Sequence, residues 1–350
     1  MYVTTENVKL GTPKLSGVTD LDNLFTELVG GSVSTSELAS HLRLEGRASL
    51  RAKPKAKGAT PTTPSVESTG EPMGIPQVEM EVVETMAGGE TYERPNGDLY
   101  HARSWGDHTD VEVLRKAREA GQYVMLYGVP GTGKTALVEG AFPDDLYTIL
   151  GSGDTEVSDL VGSYVQTPSG DFEWVDGVLT KSAEEGKVLF IDEVGLIDPK
   201  VMAVVYGLMD GRKELVVTSN PERGTIKAKE GFWVVSATNP NVAGVRLSEA
   251  LLSRFSVQVE MTTDWALAKK LGVPEPAVVA SQNLSKKMEN GETSWSPQMR
   301  ELLAFRDLAK AFGTKWAVQN LLASAPEIDR PVASDVFTRV FGEPILPAKI

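Results

Sequence analysis

The chain has no cysteine and only three histidines among its 350 residues. Disulfides and thiolate metal sites are therefore excluded, and His41, His101 and His108 are too scattered to indicate a zinc cluster. No run of 18 apolar residues occurs, and the N-terminus lacks a basic segment followed by an apolar one. Neither a membrane span nor a secretory signal is indicated, so we expect a cytoplasmic protein without a membrane partner.

Positive charge is also scarce. The formal net charge is −13, which disfavours a nucleic-acid partner because phosphate binding needs a concentrated basic face. The apolar share of 41% and the charged share of 24% are those of a soluble globular protein. The length suits two or three domains.

The first hundred residues differ in composition from the rest. Apolar residues at helical spacing, interrupted by a Gly-Gly pair, predict a small helical segment over residues 1–45. Residues 46–98 are rich in Pro, Thr, Ser and charge, which predicts a disordered linker. The basic tract Arg43–Lys57 is either a solvated tether or a docking site for nucleic acid or an acidic partner.

Apolar strands alternate with helical segments over residues 99–262. We predict strands at Tyr123–Tyr127, Leu146–Leu150, Val188–Ile191, Trp233–Ala237 and Ser256–Met261. This alternation is typical of an α/β fold, a parallel sheet covered by helices on both faces. Its ligand is expected at the carboxyl ends of the strands.

Residues 263–350 show a helical pattern instead, separated by Gly and Pro. They predict an all-α domain. Its helices are expected at Trp265–Leu271, Pro276–Met288, Pro297–Phe312, Lys315–Ala323 and Arg330–Phe341.

Residues 128–135 read Gly-Val-Pro-Gly-Thr-Gly-Lys-Thr, a phosphate-binding loop between a predicted strand and a predicted helix. Its glycines allow the tight turn that points successive N–H groups at an anion. Lys134 would reach the β- and γ-phosphates, and the Thr135 hydroxyl would bind Mg²⁺. The simpler alternative is a Gly-rich turn with an incidental lysine. The predicted nucleotide-binding residues are Gly128, Val129, Pro130, Gly131, Thr132, Gly133, Lys134, Thr135, Ala136 and Asp192.

The strand Val188–Ile191 ends in Asp192 and Glu193. Alone, such a pair is more often a strand end than a site, but after an intact phosphate loop it predicts one. Asp192 would hold Mg²⁺ through its water shell, and Glu193 would act as general base on the attacking water.

Two further residues are candidates. Asn239 follows the strand Trp233–Ala237, and its amide would orient the attacking water, although Asn-Pro is ordinarily turn chemistry. Arg254 ends a predicted helix over Leu247–Phe255. It either complements the helix dipole or serves as an arginine finger.

Together these elements resemble an AAA+ ATPase of the MoxR-like, dynein-related branch, over about residues 100–310. Beyond the phosphate loop and the Asp-Glu pair, Ser158–Gly162 and Asp171–Leu179 are similar to the branch's β-hairpin inserted into its second helix. Met209–Val217 and Gly224–Lys227 resemble its second hairpin.

The resemblance implies a nucleotide-binding domain with a five-stranded parallel sheet and a helical lid, using ATP and Mg²⁺. It implies that Asn239 is the first sensor, Arg254 a finger acting in the neighbouring subunit, and Arg300 the second sensor in the lid. It further implies a homo-oligomeric ring, usually a hexamer, that acts on a protein client. Relatives often work with a von Willebrand-type domain protein, which would be a separate chain here because no Asp-x-Ser-x-Ser occurs.

The leading hypothesis is a motor that remodels, activates or assembles a protein partner. The alternatives are the motor subunit of a cobalt or magnesium chelatase-like complex, a nucleic-acid motor, and a scaffold that binds ATP without cycling. Tyr100, His101 and Arg103 are candidates for contact with the base, or only pack there. Likewise, aromatics of the first hairpin either contact a client or stabilise the hairpin.

Overall fold

The computed structural model of the protein describes residues 89–348. The predicted helical segment 1–45, and the predicted linker up to residue 88, lie outside the described residues. No helix in the described range has both the length and the hydropathy that a membrane crossing requires.

Thirteen strands occur within residues 89–348. In chain order they are β1 (Thr91–Glu93), β2 (Leu99–His101), β3 (Ser104–Trp105), β4 (His108–Thr109), β5 (Val124–Tyr127), β6 (Leu146–Leu150), β7 (Gly162–Gln166), β8 (Phe172–Asp176), β9 (Val188–Asp192), β10 (Glu214–Val216), β11 (Thr225–Lys227), β12 (Trp233–Thr238) and β13 (Val257–Glu260).

Eleven α-helices occur in the same range, together with a 3₁₀ turn at Val194–Leu196. The helices are α1 (Asp110–Glu119), α2 (Lys134–Ala141), α3 (Val157–Val161), α4 (Val178–Glu185), α5 (Pro199–Met209), α6 (Glu249–Leu252), α7 (Trp265–Lys270), α8 (Glu275–Glu289), α9 (Met299–Phe312), α10 (Thr314–Ser324) and α11 (Arg330–Phe341).

Five strands form one parallel sheet in the order β13-β5-β12-β9-β6. The three inner strands are almost wholly buried, which explains why they read as continuous apolar runs. The predicted five-stranded sheet is confirmed, and each predicted strand matches within one residue at either end. Because the strands are parallel, the segments that follow β5, β9 and β12 share one edge, here called the carboxyl edge.

Helices cover both faces of the sheet, as predicted. On one face, Leu114 of α1 and Val138 of α2 share a buried core with Trp233 of the sheet. The other buries residues of α4 to α6 such as Leu179, Val205 and Leu251. The helices α7 to α11 enclose a separate core, so the expected helical C-terminal region is confirmed, with bounds within two residues of the prediction. We call these five helices the helical domain.

Two hairpins are inserted in the α/β part, where the resemblance implies them. The first, β7–β8, lies between α3 and α4 and pairs Tyr164 with Trp174. The second, β10–β11, follows α5. Arg223, in the loop of the second hairpin, donates to Asp176 (2.8 Å) and Glu184 (2.7 Å), and so attaches that loop to the base of the first.

Two predicted boundaries are wrong. A disordered linker is predicted over 46–98, but β1 lies inside that range and pairs with β2 just beyond it, and Arg94 donates to Glu139 of α2 at 2.6 and 2.8 Å. The helix expected over 247–255 covers only α6, because Ser248 caps its start and the chain turns to bury Phe255 before β13.

Candidate functional site

A cavity of about 520 Å³ opens at the carboxyl edge of the sheet, between the phosphate loop, the end of β9 and the start of α9. It brings most of the predicted site residues together. Those that line it are Pro130, Gly131, Gly133, Lys134, Thr135, Ala136, Asp192, Glu193 and Arg300.

The phosphate loop, residues 128–135, has a backbone that depends on glycine. Gly131 and Gly133 have φ values of 83° and 93°, in the left-handed region that other residues rarely adopt. A Cβ at Gly128 would lie 2.4 Å from the carbonyl oxygen of Met261. The loop delivers the N-terminus of α2 to the cavity wall, and a helix N-terminus attracts anions.

Lys134 is buried, and its ammonium donates to the carbonyl oxygens of Gly128 (2.8 Å) and Val129 (3.0 Å). Burial lowers the pKa of this ammonium, and the charge of Arg300 lowers it further, against the opposing effect of Glu193 and Asp192. The positive charge is therefore incompletely compensated by the protein. An anionic phosphate in the cavity would compensate it.

Thr135 and Asp192 meet at the end of β9. The Thr135 hydroxyl donates to Oδ2 of Asp192 at 2.8 Å, and Oδ1 of Asp192 accepts from the backbone N–H of Glu193 at 3.0 Å. A hydroxyl beside a carboxylate is a set of oxygen donors that fits Mg²⁺.

Glu193 has a strained backbone, with φ 50° and ψ 42°. For a residue other than glycine this conformation costs about 1–3 kcal/mol. Oε2 of its carboxylate is buried and has no hydrogen-bond partner in the described part of the chain. Glu193 lines the cavity, and a buried carboxylate oxygen without a donor is where an ordered water would supply the missing hydrogen bond, as in a general base.

Gly151, directly after β6, supports this strained corner. Its N–H donates to the carbonyl of Asp192 at 2.7 Å. A Cβ at this position would lie 2.6 Å from the carbonyl oxygen of Glu193 and 3.0 Å from that of Asp192. Sequence reasoning missed Gly151 because the contact joins residues some forty positions apart and has no local signature.

Asn239 is buried directly after β12, and its Oδ1 accepts from the N–H of Asn241 at 3.2 Å. This hydrogen bond belongs to a turn, which is the simpler interpretation of the Asn-Pro sequence. The residue lies at the carboxyl edge, since Ser236 pairs with Ile191, but it is not among the residues that line the cavity. Its role in orienting water stays a prediction.

Arg300 lies in the first turn of α9, where its backbone N–H donates to the carbonyl of Gly131 at 3.1 Å. Nearby, the Thr263 hydroxyl donates to Gln298 at 2.7 Å, with both side chains buried. The start of α9 is thereby attached to the phosphate loop and to the segment that connects the two domains. The sensor role of the Arg300 side chain stays a prediction.

Arg254 is remote from the cavity. It precedes β13, whose Val257 pairs with Val124 at the start of β5, so it lies at the amino edge of the sheet. Its guanidinium stacks 4.1 Å from the ring centroid of Tyr206 and donates to the carbonyl of Ala250 at 2.6 Å. Contact with a carbonyl of α6 is what we expect of an arginine that complements the dipole of that helix.

Comparisons with known proteins agree with this geometry. A family model described as AAA domain (dynein-related subfamily) matches residues 123–255. The uncharacterized protein YojN of Bacillus subtilis is 30% identical over 233 residues, which are 61% of this chain and 76% of that protein. The chain belongs to the AAA+ ATPases. It binds and hydrolyses ATP.

Other relatives of this AAA+ ATPase cover different shares of it. The uncharacterized protein SERP0979 of Staphylococcus epidermidis is 26% identical over 244 residues, 64% of this chain and 92% of that protein. Midasin of Giardia intestinalis is 31% identical over 167 residues, 44% of this chain but 3% of midasin. A solved structure from Cytophaga hutchinsonii matches 67% of this chain and 81% of its own at 18% identity, with a TM-score of 0.36.

The ATPase cavity also has apolar lining that sequence reasoning missed, because it comes from distant segments. These residues are Leu99, Leu150, Leu267, Leu271, Met299 and Leu303. Among the candidates for base contact, Tyr100 is largely buried, donates its hydroxyl to Asp110 and packs against Gly140 of α2. His101 lines the cavity, and burial together with Arg306 lowers its pKa, which favours the neutral imidazole.

Glu193→Gln should separate ATP binding from turnover. The substitution keeps the ligands for phosphate but removes the base, so we expect near-normal ATP affinity and a loss of turnover of roughly 10²–10⁴-fold. Lys134→Ala should instead lose affinity. Calorimetric binding and phosphate release measure the two quantities, and wild-type turnover in Glu193→Gln would show that another group is the base.

Gly151→Ala should impair turnover while Gly153→Ala does not. A methyl group at 151 must displace the backbone of Asp192 and Glu193, whereas the space around Gly153 is open to 4 Å. A shift of a catalytic group by about 1 Å costs roughly 10²-fold in rate. We therefore expect a kcat loss of that order with nearly unchanged ATP affinity in Gly151→Ala; equal kcat in both variants would contradict the support assigned to Gly151.

Proposed function

We propose that this AAA+ ATPase is MoxR-like and works as a ring, a hexamer in the simplest case. In this proposal Mg²⁺-dependent ATP hydrolysis drives the remodelling, activation or assembly of a protein partner. The observation that carries the proposal is the position of Arg254 at the amino edge of the sheet, opposite the cavity.

The separation between the two edges supports action between subunits and disfavours action within one. Strand β5 has four residues, so at about 3.3 Å per residue it puts roughly 13 Å between its ends. Arg254 lies beside one end, and the phosphate loop begins at the other. In this proposal the arginine therefore acts on the phosphates bound by another copy.

A contact between unlike surfaces of two copies repeats around the assembly. If the amino edge of one subunit meets the cavity of the next, repetition of this contact generates a ring when its rotation closes. An arginine supplied across such an interface is worth roughly 10³–10⁵ in the rate of related phosphoryl transfers. The rate of ATP hydrolysis would then depend on assembly of the ring.

The presentation of Arg254 supports this role. The ring of Tyr206 supports one face of the guanidinium, and its only hydrogen bond within the described residues is to Ala250. Nε has no partner in that part of the chain. A cation preorganised in this way loses little freedom when it meets a phosphate.

Magnesium belongs to the proposal as well. Thr135 and Asp192 would hold the ion, and the ion would neutralise charge that develops on the phosphates. Glu193 would accept a proton from the attacking water. Lys134 and the N–H groups of the phosphate loop would bind and orient the triphosphate.

The inserted hairpins support a protein client. Phe172 is 68% exposed, Tyr164 50% and Val216 61%, whereas the indole N–H of Trp174 is bonded to Asp176 within the hairpin. Exposed aromatic and apolar side chains are typical of protein-binding surfaces. We assign client contact to Tyr164 and Phe172, and support of the hairpin to Trp174.

Mixing two inactive variants tests the ring. Arg254→Ala subunits keep the base and Glu193→Gln subunits keep the finger, so each supplies what the other lacks. In an equimolar random ring, about one quarter of the interfaces pair an intact base with an intact finger. We expect phosphate release at about that fraction of the wild-type rate.

The control is each variant mixed with an equal amount of buffer. If the mixture releases phosphate no faster than the two variants separately, Arg254 does not act across an interface. A wild-type specific activity that stays constant from dilute to concentrated protein, in a chain that sedimentation shows to be monomeric, would contradict the ring itself.

A further inference from the structure

Arg103 has a fixed backbone beside the nucleotide cavity. It follows β2, and both of its backbone polar groups bond to Asp110: its N–H donates to Oδ1 at 3.1 Å, and its carbonyl accepts from the N–H of Asp110 at 2.9 Å. The Asp110 carboxylate is buried and also accepts from the Tyr100 hydroxyl. This network holds the start of the Arg103 side chain in one place.

The guanidinium bonds to the phosphate loop and to the segment after β13, at the wall of the cavity. One terminal nitrogen donates to the carbonyl of Thr132 at 2.5 Å, and the other donates to the carbonyl of Thr262 at 2.9 Å. A Cβ at Gly133 would lie 2.7 Å from the nitrogen that binds Thr132. Arg103 therefore occupies the space that glycine leaves at position 133.

The bond to Thr132 has a consequence for the next N–H group. The carbonyl of Thr132 and the N–H of Gly133 belong to one planar trans peptide unit, so they point in opposite directions. When Arg103 holds the carbonyl outward, the N–H must point away from Arg103. Gly133 and Arg103 both line the cavity, so a triphosphate held by the phosphate loop would meet that N–H.

We propose that Arg103 is a positioning residue for phosphate binding. It orients the Thr132–Gly133 peptide so that the N–H of Gly133 is presented to the triphosphate, and its positive charge polarises that N–H. This role is independent of ring assembly and replaces the contact with the base that was one expectation for Arg103.

Inorganic tripolyphosphate tests the proposal, because it has the phosphates of ATP but neither base nor ribose. Calorimetry on the full chain with Mg²⁺ would compare tripolyphosphate and ATP in wild type, Arg103→Met and Arg103→Lys. We expect Arg103→Met to weaken both ligands by the same factor, roughly tenfold or more for a lost charge-assisted hydrogen bond. A loss for ATP alone would overturn the proposal and assign Arg103 to the base or ribose.

Arg103→Lys separates position from charge. It keeps the charge but replaces the planar fork with a single ammonium, so we expect tripolyphosphate to bind more weakly than to wild type. Wild-type affinity in this variant would show that only charge matters and would overturn the positioning role. If thermal unfolding shows that Arg103→Met does not fold, Arg103→Lys decides the question alone.

Arg115→Met is the matched control. Arg115 donates to the carbonyl of Ala141 at 3.0 Å. Ala141 is the last residue of α2, the helix that follows the phosphate loop, and Arg115 does not line the cavity. The substitution removes the same charge and the same kind of bond, so we expect unchanged affinity for tripolyphosphate. A loss equal to that of Arg103→Met would overturn the proposal in favour of general charge.

Discussion

Nucleotide binding in this protein depends on the backbone of the phosphate loop, whose carbonyls are fixed by hydrogen bonds from outside and inside the loop. Different parts of the fold hold them. The carbonyl of Gly131 accepts from the N–H of Arg300 in the helical domain, and that of Thr132 accepts from Arg103, which follows β2. Lys134 binds the carbonyls of Gly128 and Val129. The geometry of the loop therefore depends on contacts with other parts of the fold and not on its eight residues alone.

The segment between the two domains takes part in the same arrangement. The Met261 carbonyl lies against Gly128, the Thr262 carbonyl accepts from Arg103, and the Thr263 hydroxyl binds Gln298 at the start of α9. Three consecutive residues thus contact the loop, the arginine beside it and the helical domain. These direct contacts connect the loop backbone with the start of α9, and the buried hydrogen bonds among them are costly to break.

The sequence predicted what local patterns encode. Buried parallel strands read as apolar runs, so the sheet and its carboxyl edge were predictable, and with them the meeting of Lys134 with Asp192 and Glu193. The roles of Gly151 and Arg103 were not predictable, because they depend on contacts between segments that are distant in sequence. The short α6 was misjudged for a related reason. Burial of Phe255, a tertiary effect, ended a helix that periodicity alone would continue.

The position of the Glu193 carboxylate depends on several strands. Its left-handed backbone persists only if the surroundings prevent relaxation. Gly151, after β6, lies against its carbonyl, and a Cβ at Gly195 would lie 2.8 Å from Thr238 Oγ1 at the end of β12. The corner after β9 is thus held between its two neighbouring strands, and neither glycine leaves room for a methyl group. A parallel sheet supplies this support because its strands end side by side, which is why the base can be aimed at the cavity without a hydrogen bond from the described protein to its Oε2.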